Sequence, residues 1–246
     1  MRVSPASLSL LPCILAIVLV CGCRAHSTST AANDPAANDP AEARVRVTLD
    51  EIAAKAKAAG QTSVTISRGL FNHRVVPNYD EEMKTAYALY VHAEEAVSVP
   101  SPDRRSISTW YKFTVLRDVS RAPLPARAID QPPDKEIPQQ LLPVLPNQIL
   151  VPMVGGVVTI DGVQVRFGDV RQLFVPTKDY LIVVEPAASS EVMVLPAGGE
   201  MAFAVADDGD TLSPLGPLQN AHIQDEIQRR YHNSLRALSQ DQVTKR

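Results

Sequence analysis

The chain reads as a mainly β protein, an antiparallel barrel or sandwich with peripheral N- and C-terminal helices. Three observations carry that reading. Short runs of alternating apolar and polar residues, about seven of them, recur between Tyr87 and Ala206. Turn signals separate the runs, among them Pro100-Ser101-Pro102-Asp103, Asp161-Gly162 and Asp207-Asp208-Gly209-Asp210. Twenty prolines favour short strands and loops over long helices.

The elements follow in order. Thr48-Leu49-Asp50-Glu51 has capping-box spacing, and Leu49, Ile52, Ala53 and Ala56 share one helical face. Gly60 ends that helix as its C′ residue, and Ser63 to Ile66 is a short strand. Asn78 to Lys84 is polar and forms a short helical turn. From Tyr87 to Val99 the pattern alternates, with Tyr87, Leu89, Val91 and Ala93 on one side and Tyr90 and His92 on the other. Ile107 to Val119 is a second long strand, pairing with the first as a hairpin. Its one face carries Ile107, Thr109, Tyr111, Phe113 and Val115, its other Trp110, Lys112, Thr114 and Leu116.

Residues 121–148 are rich in proline and form an extended loop, read as a strap on the barrel surface in preference to a functional loop. Ile149 to Val154 is apolar throughout; Gly155-Gly156 turns it, and Asp161-Gly162 joins the next two strands. Tyr180 to Glu185 is apolar on both faces, which marks a central strand. Glu191 to Leu195 and Met201 to Ala206 follow. In the last segment Ile223, Ile227, Tyr231 and Leu235 are spaced four apart, with Leu238 close by, as in one amphipathic helix docked on a core. Hairpin signals with few long crossovers favour a closed or nearly closed antiparallel sheet. An oligonucleotide- and oligosaccharide-binding-like (OB-like) barrel is the first choice and an open sandwich the second.

The N-terminus carries a different signal. Arg2 precedes an apolar run from Leu8 to Val20, interrupted by Ser9 and Pro12, and the run ends in Leu19-Val20-Cys21-Gly22-Cys23. A charged start, a short apolar stretch and a small residue before the cut are the marks of an export signal. The run is shorter than the ~20 residues a spanning helix needs. Its end resembles the lipobox of bacterial lipoproteins, with Cys21 where that pattern more often has Ala, Ser or Thr. The resemblance implies cleavage before Cys23 and lipidation of Cys23. Residues 1–22 are then a signal peptide, 23–43 a flexible tether and 44–246 the β-rich domain with its C-terminal amphipathic helix. The tether reading rests on Ser27-Thr28-Ser29-Thr30 and on Ala-Ala-Asn-Asp-Pro repeated at 31–35 and 36–40, which cannot bury enough apolar surface to fold.

All three cysteines, Cys13, Cys21 and Cys23, lie in this leader, so the mature chain cannot form an internal disulfide. Removing residues 1–22 takes away Arg2 only and leaves 23 basic against 27 acidic side chains. A nucleic-acid partner would need a basic face, and none is expected.

The span Ile107 to Leu215 also resembles uncharacterised exported proteins common in soil bacteria. The shared features are a strand like Thr109-Trp110-Tyr111-Lys112-Phe113, then Gly155-Gly156 with Asp161-Gly162-Val163, then Tyr180-Leu181-Ile182. The resemblance implies a β-rich domain and carries over no site.

No catalytic residue, cofactor site or metal site is expected. His26, His73, His92, His222 and His232 show no i, i+4 pair of the kind that binds zinc on a helix. Asp207-Asp208-Gly209-Asp210 lacks the spacing of a calcium loop and reads as a turn. The chain has no Gly-x-Ser-x-Gly elbow, and no Lys-Ser or Lys-Thr follows Gly155-Gly156. Trp110 and Tyr111 put an aromatic on each face of one strand, so Trp110 is the candidate ligand contact, weighed against a core role. The expected function is a membrane-tethered envelope lipoprotein whose domain is a non-enzymatic binding or structural module for a protein or glycan. The alternative is an exported hydrolase whose site is assembled from scattered Asp, Glu and His.

Overall fold

The computed structural model describes residues 47–67, 78–124, 137–168, 173–187, 192–195, 201–215 and 221–245. These belong to the unit that spans Pro40–Arg246. The signal peptide, the tether and Cys23 lie outside the described residues.

Helix α1 (Leu49–Ala58) forms where the capping box predicts it. Thr48 Oγ1 accepts from Glu51 N (3.3 Å), and Thr48 N donates back to Glu51 Oε2 (3.2 Å). Its C-terminus closes as a Schellman motif: Gln61 N donates to Ala56 O (2.9 Å), Gly60 N donates to Lys57 O (3.0 Å), and Gly60 has φ 71°. Strand β1 (Ser63–Ile66) follows, then the single-turn helix α2 (Tyr79–Glu82). Strands β2 (Tyr87–Pro100) and β3 (Ile107–Asp118) form the long antiparallel hairpin, with bulges at Tyr90/Val91 and Ala93/Glu95.

Next come β4 (Gln148–Val154), β5 (Gly156–Ile160), β6 (Val163–Phe167), β7 (Asp179–Pro186), β8 (Met193–Val194), β9 (Ala202–Val205) and β10 (Leu212–Pro214). The main sheet runs β10-β9-β7-β2-β3-β4, with β8 also paired to β7. Strand β7 is central, flanked by β2 on one edge and by β9 and β8 on the other, as its two-sided apolar pattern requires. Leu181 and Val183 join one core cluster, Ile182 and Val184 the other.

Two expectations are corrected. The strands do not form one sheet, and neither sheet closes into a barrel. Strands β5 and β6 leave the main sheet and pair with β1 in the order β1-β6-β5, under α1. Gly155 (φ 119°) and Gly156 (φ 148°) make that exit possible. A Cβ on Gly156 would sit 2.5 Å from Thr109 Oγ1, so only glycine fits there. In the main sheet, β4 and the β8 segment meet through one isolated bridge, Leu150 with Val192. A two-residue β8 is too short to complete a ladder between the edges.

The strap behaves as predicted where it is described. Ile137 and Leu141 pack with Trp110, Leu150 and Val192 on the outer face of β3 and β4. Lys112 Nζ donates to Leu141 O (3.1 Å) and Pro143 O (2.9 Å), tying the strap down from beneath.

The C-terminal segment is two helices, α3 (Ala221–Tyr231) and α4 (Leu235–Thr244), where one was expected. His232 (φ 54°) and Asn233 (φ 56°) break it, and Ser234 caps α4 by accepting from Ala237 N (3.1 Å). The Asp207–Asp210 turn docks on this break. Asp210 accepts from Ser234 Oγ (2.8 Å) and Arg236 N (2.7 Å). Continued four-residue spacing across the break hid it, because Ile223, Ile227, Tyr231, Leu235 and Leu238 all still reach one core.

An ionic network fastens these helices to α2 and the end of β3. Asp80 accepts from Arg121, Arg230 (3.0 Å) and Lys245 (3.4 Å), and Arg230 also donates to Glu226 (2.6 Å). Asp241 accepts from Tyr231 Oη (2.7 Å) and pairs with Lys245 (2.8 Å). Burial pushes Asp80 and Asp241 up, but the bonds and charges of Arg230 and Arg121 on the first, and of Lys245, Tyr231 and Arg230 on the second, outweigh it. Both carboxyls stay below their ordinary range. A depressed folded pKa stabilises above the unfolded carboxylate range, near pH ~4, and that stability is lost as pH falls through the folded values. The melting temperature should therefore drop steeply below pH ~4. Asp80→Asn should lower it at pH 7 and flatten that acid limb. Asp208, held at about 2 by the Thr211 hydroxyl and the N–H groups of Thr211 and Asp210, keeps part of the limb in the variant. Melts between pH 7 and 2 test this, and an unchanged acid limb in Asp80→Asn would refute the linkage.

Candidate functional site

The outer face of the main sheet is covered at both ends and open between them. Towards one end α3 and α4 pack on Ala88, Leu181, Val183 and Phe203. Towards the other the strap packs on Trp110 and Leu150. Strand register places a polar row in the gap: Asp179 opposite His92, His92 opposite Thr114, Thr114 opposite Gln148. The row crosses four adjacent strands, so its spacing is set by backbone ladders rather than by loops.

Three of its bonds are short. His92 Nδ1 donates to Asp179 Oδ1 (2.7 Å), and Tyr90 Oη donates to Asp179 Oδ2 (2.7 Å). The side chains of His92 and Asp179 are 35% and 33% exposed, so the pair is reachable from solvent. Thr114 Oγ1 donates to Glu94 Oε1 (2.6 Å), and Gln148 Nε2 donates to Thr114 Oγ1 (3.4 Å). The Arg117 guanidinium lies 5.8 Å from the centre of the Tyr90 ring. Burial, then the hydrogen bond to Asp179, pushes Tyr90 up to about 12, so its hydroxyl stays a donor across the physiological range. With Nδ1 engaged on the carboxylate, Nε2 is the ring nitrogen of His92 left for a further partner. Gln148 is buried at one end of the row, held by Leu145 N, and the partly exposed His92, Asp179 and Thr114 are the part that a polar ligand lying across the sheet could meet.

Trp110 is elsewhere. It is 6% exposed and packed beneath the strap, so it serves the core and offers no stacking face. The Asp207–Asp210 cluster is a structural turn: Asp208 accepts from Asp210 N (2.8 Å), Thr211 N (2.8 Å) and Thr211 Oγ1 (2.6 Å). Among the described residues no three His, Cys, Asp or Glu side chains gather as a metal site requires, and His26 and His73 lie outside them. Among the described residues no helix is long and apolar enough to cross a membrane.

Strand alternation sets Tyr90 and His92 on the side opposite Leu89 and Val91 but does not join them to Asp179, Thr114 or Gln148. The one local signal is Tyr90, His92 and Glu94 at alternate positions of β2. The partners come from three other strands, and cross-strand register is a long-range property. Comparison with family models, with curated proteins and with solved structures found no match to this chain.

Proposed function

We propose that this chain is an exported, lipid-anchored cell-envelope protein whose β-rich domain is a non-enzymatic binding module. The observation that carries the reading is the leader, Leu8 to Val20 followed by Val20-Cys21-Gly22-Cys23, with every cysteine of the chain inside it. The tether of residues 23–43 then holds the domain off the membrane, and the polar row on the outer face of the sheet is its ligand-contacting surface. Arg24 stands where the inner-membrane retention signal places Asp, which favours the outer membrane or cell surface. The curled main sheet, whose edge segments meet at the Leu150–Val192 bridge, keeps an open, OB-like module as the architectural part of the same proposal.

One observation favours the hydrolase instead. The His92–Asp179 pair has the geometry of a general base with its orienting carboxylate. That one pair carries the second reading, whereas the leader and the sheet-spanning row carry the first.

The anchor is tested by labelling cells with a fatty-acid analogue. Cys23→Ala should lose the label and accumulate as uncleaved precursor, whereas Cys21→Ala should be labelled and cleaved like the parent. Label retained on Cys23→Ala would end the lipoprotein reading.

A further inference from the structure

We infer that the outer edge of β5 is a docking site for an extended, basic peptide segment, which binds by adding a strand to the three-stranded sheet. The Asp161-Gly162 turn joins β5 to β6 with two residues, so Ile160 and Val163 exchange both hydrogen bonds. The pattern repeats at Val158 and Gly156. Val157 and Thr159 therefore direct their N–H and C=O groups away from β6. The β6 side agrees with this phase: Gln164 N donates to Thr62 O (2.9 Å) and Gly168 N to Ile66 O (2.9 Å), both outward from the hairpin.

The upstream end of the same edge is closed. Gly155 N donates to Ile107 O (2.7 Å), and Thr109 Oγ1 donates to Gly155 O (2.7 Å). Past that point the edge departs from the β2–β3 hairpin, and among the described residues no group bonds to the backbone of Val157 or Thr159. The strand has none of the usual guards of an edge. Gly156–Ile160 contains no charge, no proline and no bulge, and three of its residues are β-branched Val or Thr.

A groove of about 630 Å³ runs along this edge. Ser98 and Pro100 of β2 line it together with Asp50, Arg104 and Asp161. That volume is in the range of a ligand site. Unpaired N–H and C=O groups on alternate residues are complementary to one kind of occupant, another extended backbone. Arg104 is held by Asp50 in a two-bonded ion pair, so the groove's two carboxylates and one guanidinium leave an excess of one negative charge. The guest is therefore basic rather than acidic. The chain itself carries a formal net charge of −3, which disfavours a second copy of it beside an acidic groove.

The full-length chain in detergent micelles, labelled for amide NMR, tests this with acetyl-Lys-Thr-Val-Thr-Val-Lys-amide as the probe. At saturation, exchange of the Val157 and Thr159 amides should slow by at least about tenfold. An analogue with Glu in place of both Lys should bind about tenfold more weakly. Thr159→Pro removes one outward N–H at an edge that tolerates proline. It should keep the parent's melting temperature and lose the peptide. Val158→Pro breaks the β6 ladder and should lower the melting temperature, which verifies the phase of the hairpin.

Amides of Val157 and Thr159 that are already protected without peptide would overturn the proposal, as would peptide binding that survives in Thr159→Pro. Absence of any protection by either peptide would overturn it too. A dimer in sedimentation that Thr159→Pro abolishes, without peptide protection, would assign the edge to a second copy instead.

Discussion

Ile182→Asp should leave no soluble, folded protein. Ile182 and its neighbour Leu181 are both 0% exposed, yet they face different cores. Leu181 lies under α3 and α4 with Ile227 and Leu238, and Ile182 lies inside the curl of the main sheet with Val91 and Phe113. A carboxylate at either position has no counter-charge within its cluster. Burying it costs several kcal/mol, even when the group takes up a proton to avoid ionisation. A domain of this size has only about 5–15 kcal/mol to lose. Asp208→Asn should cost far less, since the exposed turn keeps a side-chain oxygen for the N–H groups of Asp210 and Thr211 and loses only the charge that those bonds favour. Soluble yield and a circular-dichroism melt distinguish the cases. An Ile182→Asp protein that melts like the parent would show the inner face to be hydrated.

Phe174→Ala should lower stability by about 3–5 kcal/mol, the range for truncating a fully buried aromatic ring. The ring is 0% exposed and makes edge contacts with three others: Tyr111 at 5.0 Å, Phe113 at 5.0 Å and Tyr180 at 5.1 Å. Such pairs add about 0.5–1.5 kcal/mol beyond area burial. Phe174 belongs to the loop before β7, so truncation opens a cavity in the inner core and also loosens the loop that carries it. Tyr180 Oη ties the same loop by accepting from Val175 N (2.8 Å) and donating to Val175 O (3.2 Å). At about 2–4 °C per kcal/mol for a domain of this size, the melting temperature should fall by roughly 6–20 °C. Phe174→Leu should lose less, because most of the volume remains. A urea midpoint that drops with an unchanged slope would confirm a loss of stability alone. A change below about 1 kcal/mol would mean that the ring is not docked as described.

The network at Asp80 shows what local reading leaves out. From its neighbours Asn78 to Lys84 reads only as a polar helical turn, yet Asp80 is bonded to Arg121 and Arg230, and Glu82 is only 1% exposed. The partners lie 41 and 150 positions away, beyond any periodicity. The same holds for the polar row. Alternation puts Tyr90 and His92 on one face, but Asp179 reaches them only because β7 pairs with β2.

What the sequence by itself determined is the local structure. Thr48 and Glu51 cap α1, Gly60 ends it, Asp161-Gly162 turns β5 into β6, and Leu181 against Ile182 marks a strand buried on both faces. Each of these depends on neighbours within a few positions, where capping, left-handed φ and period-two burial act directly. The tertiary structure decided which strands share a sheet, where the last helix breaks, that the strap buries Trp110, and that His92 meets Asp179. Those outcomes turn on how two glycines re-aim the chain at 155–156 and on which surfaces must be covered once the sheet has curled. Register and cover are properties of the assembled core, in which residues far apart in sequence compete for the same apolar surface.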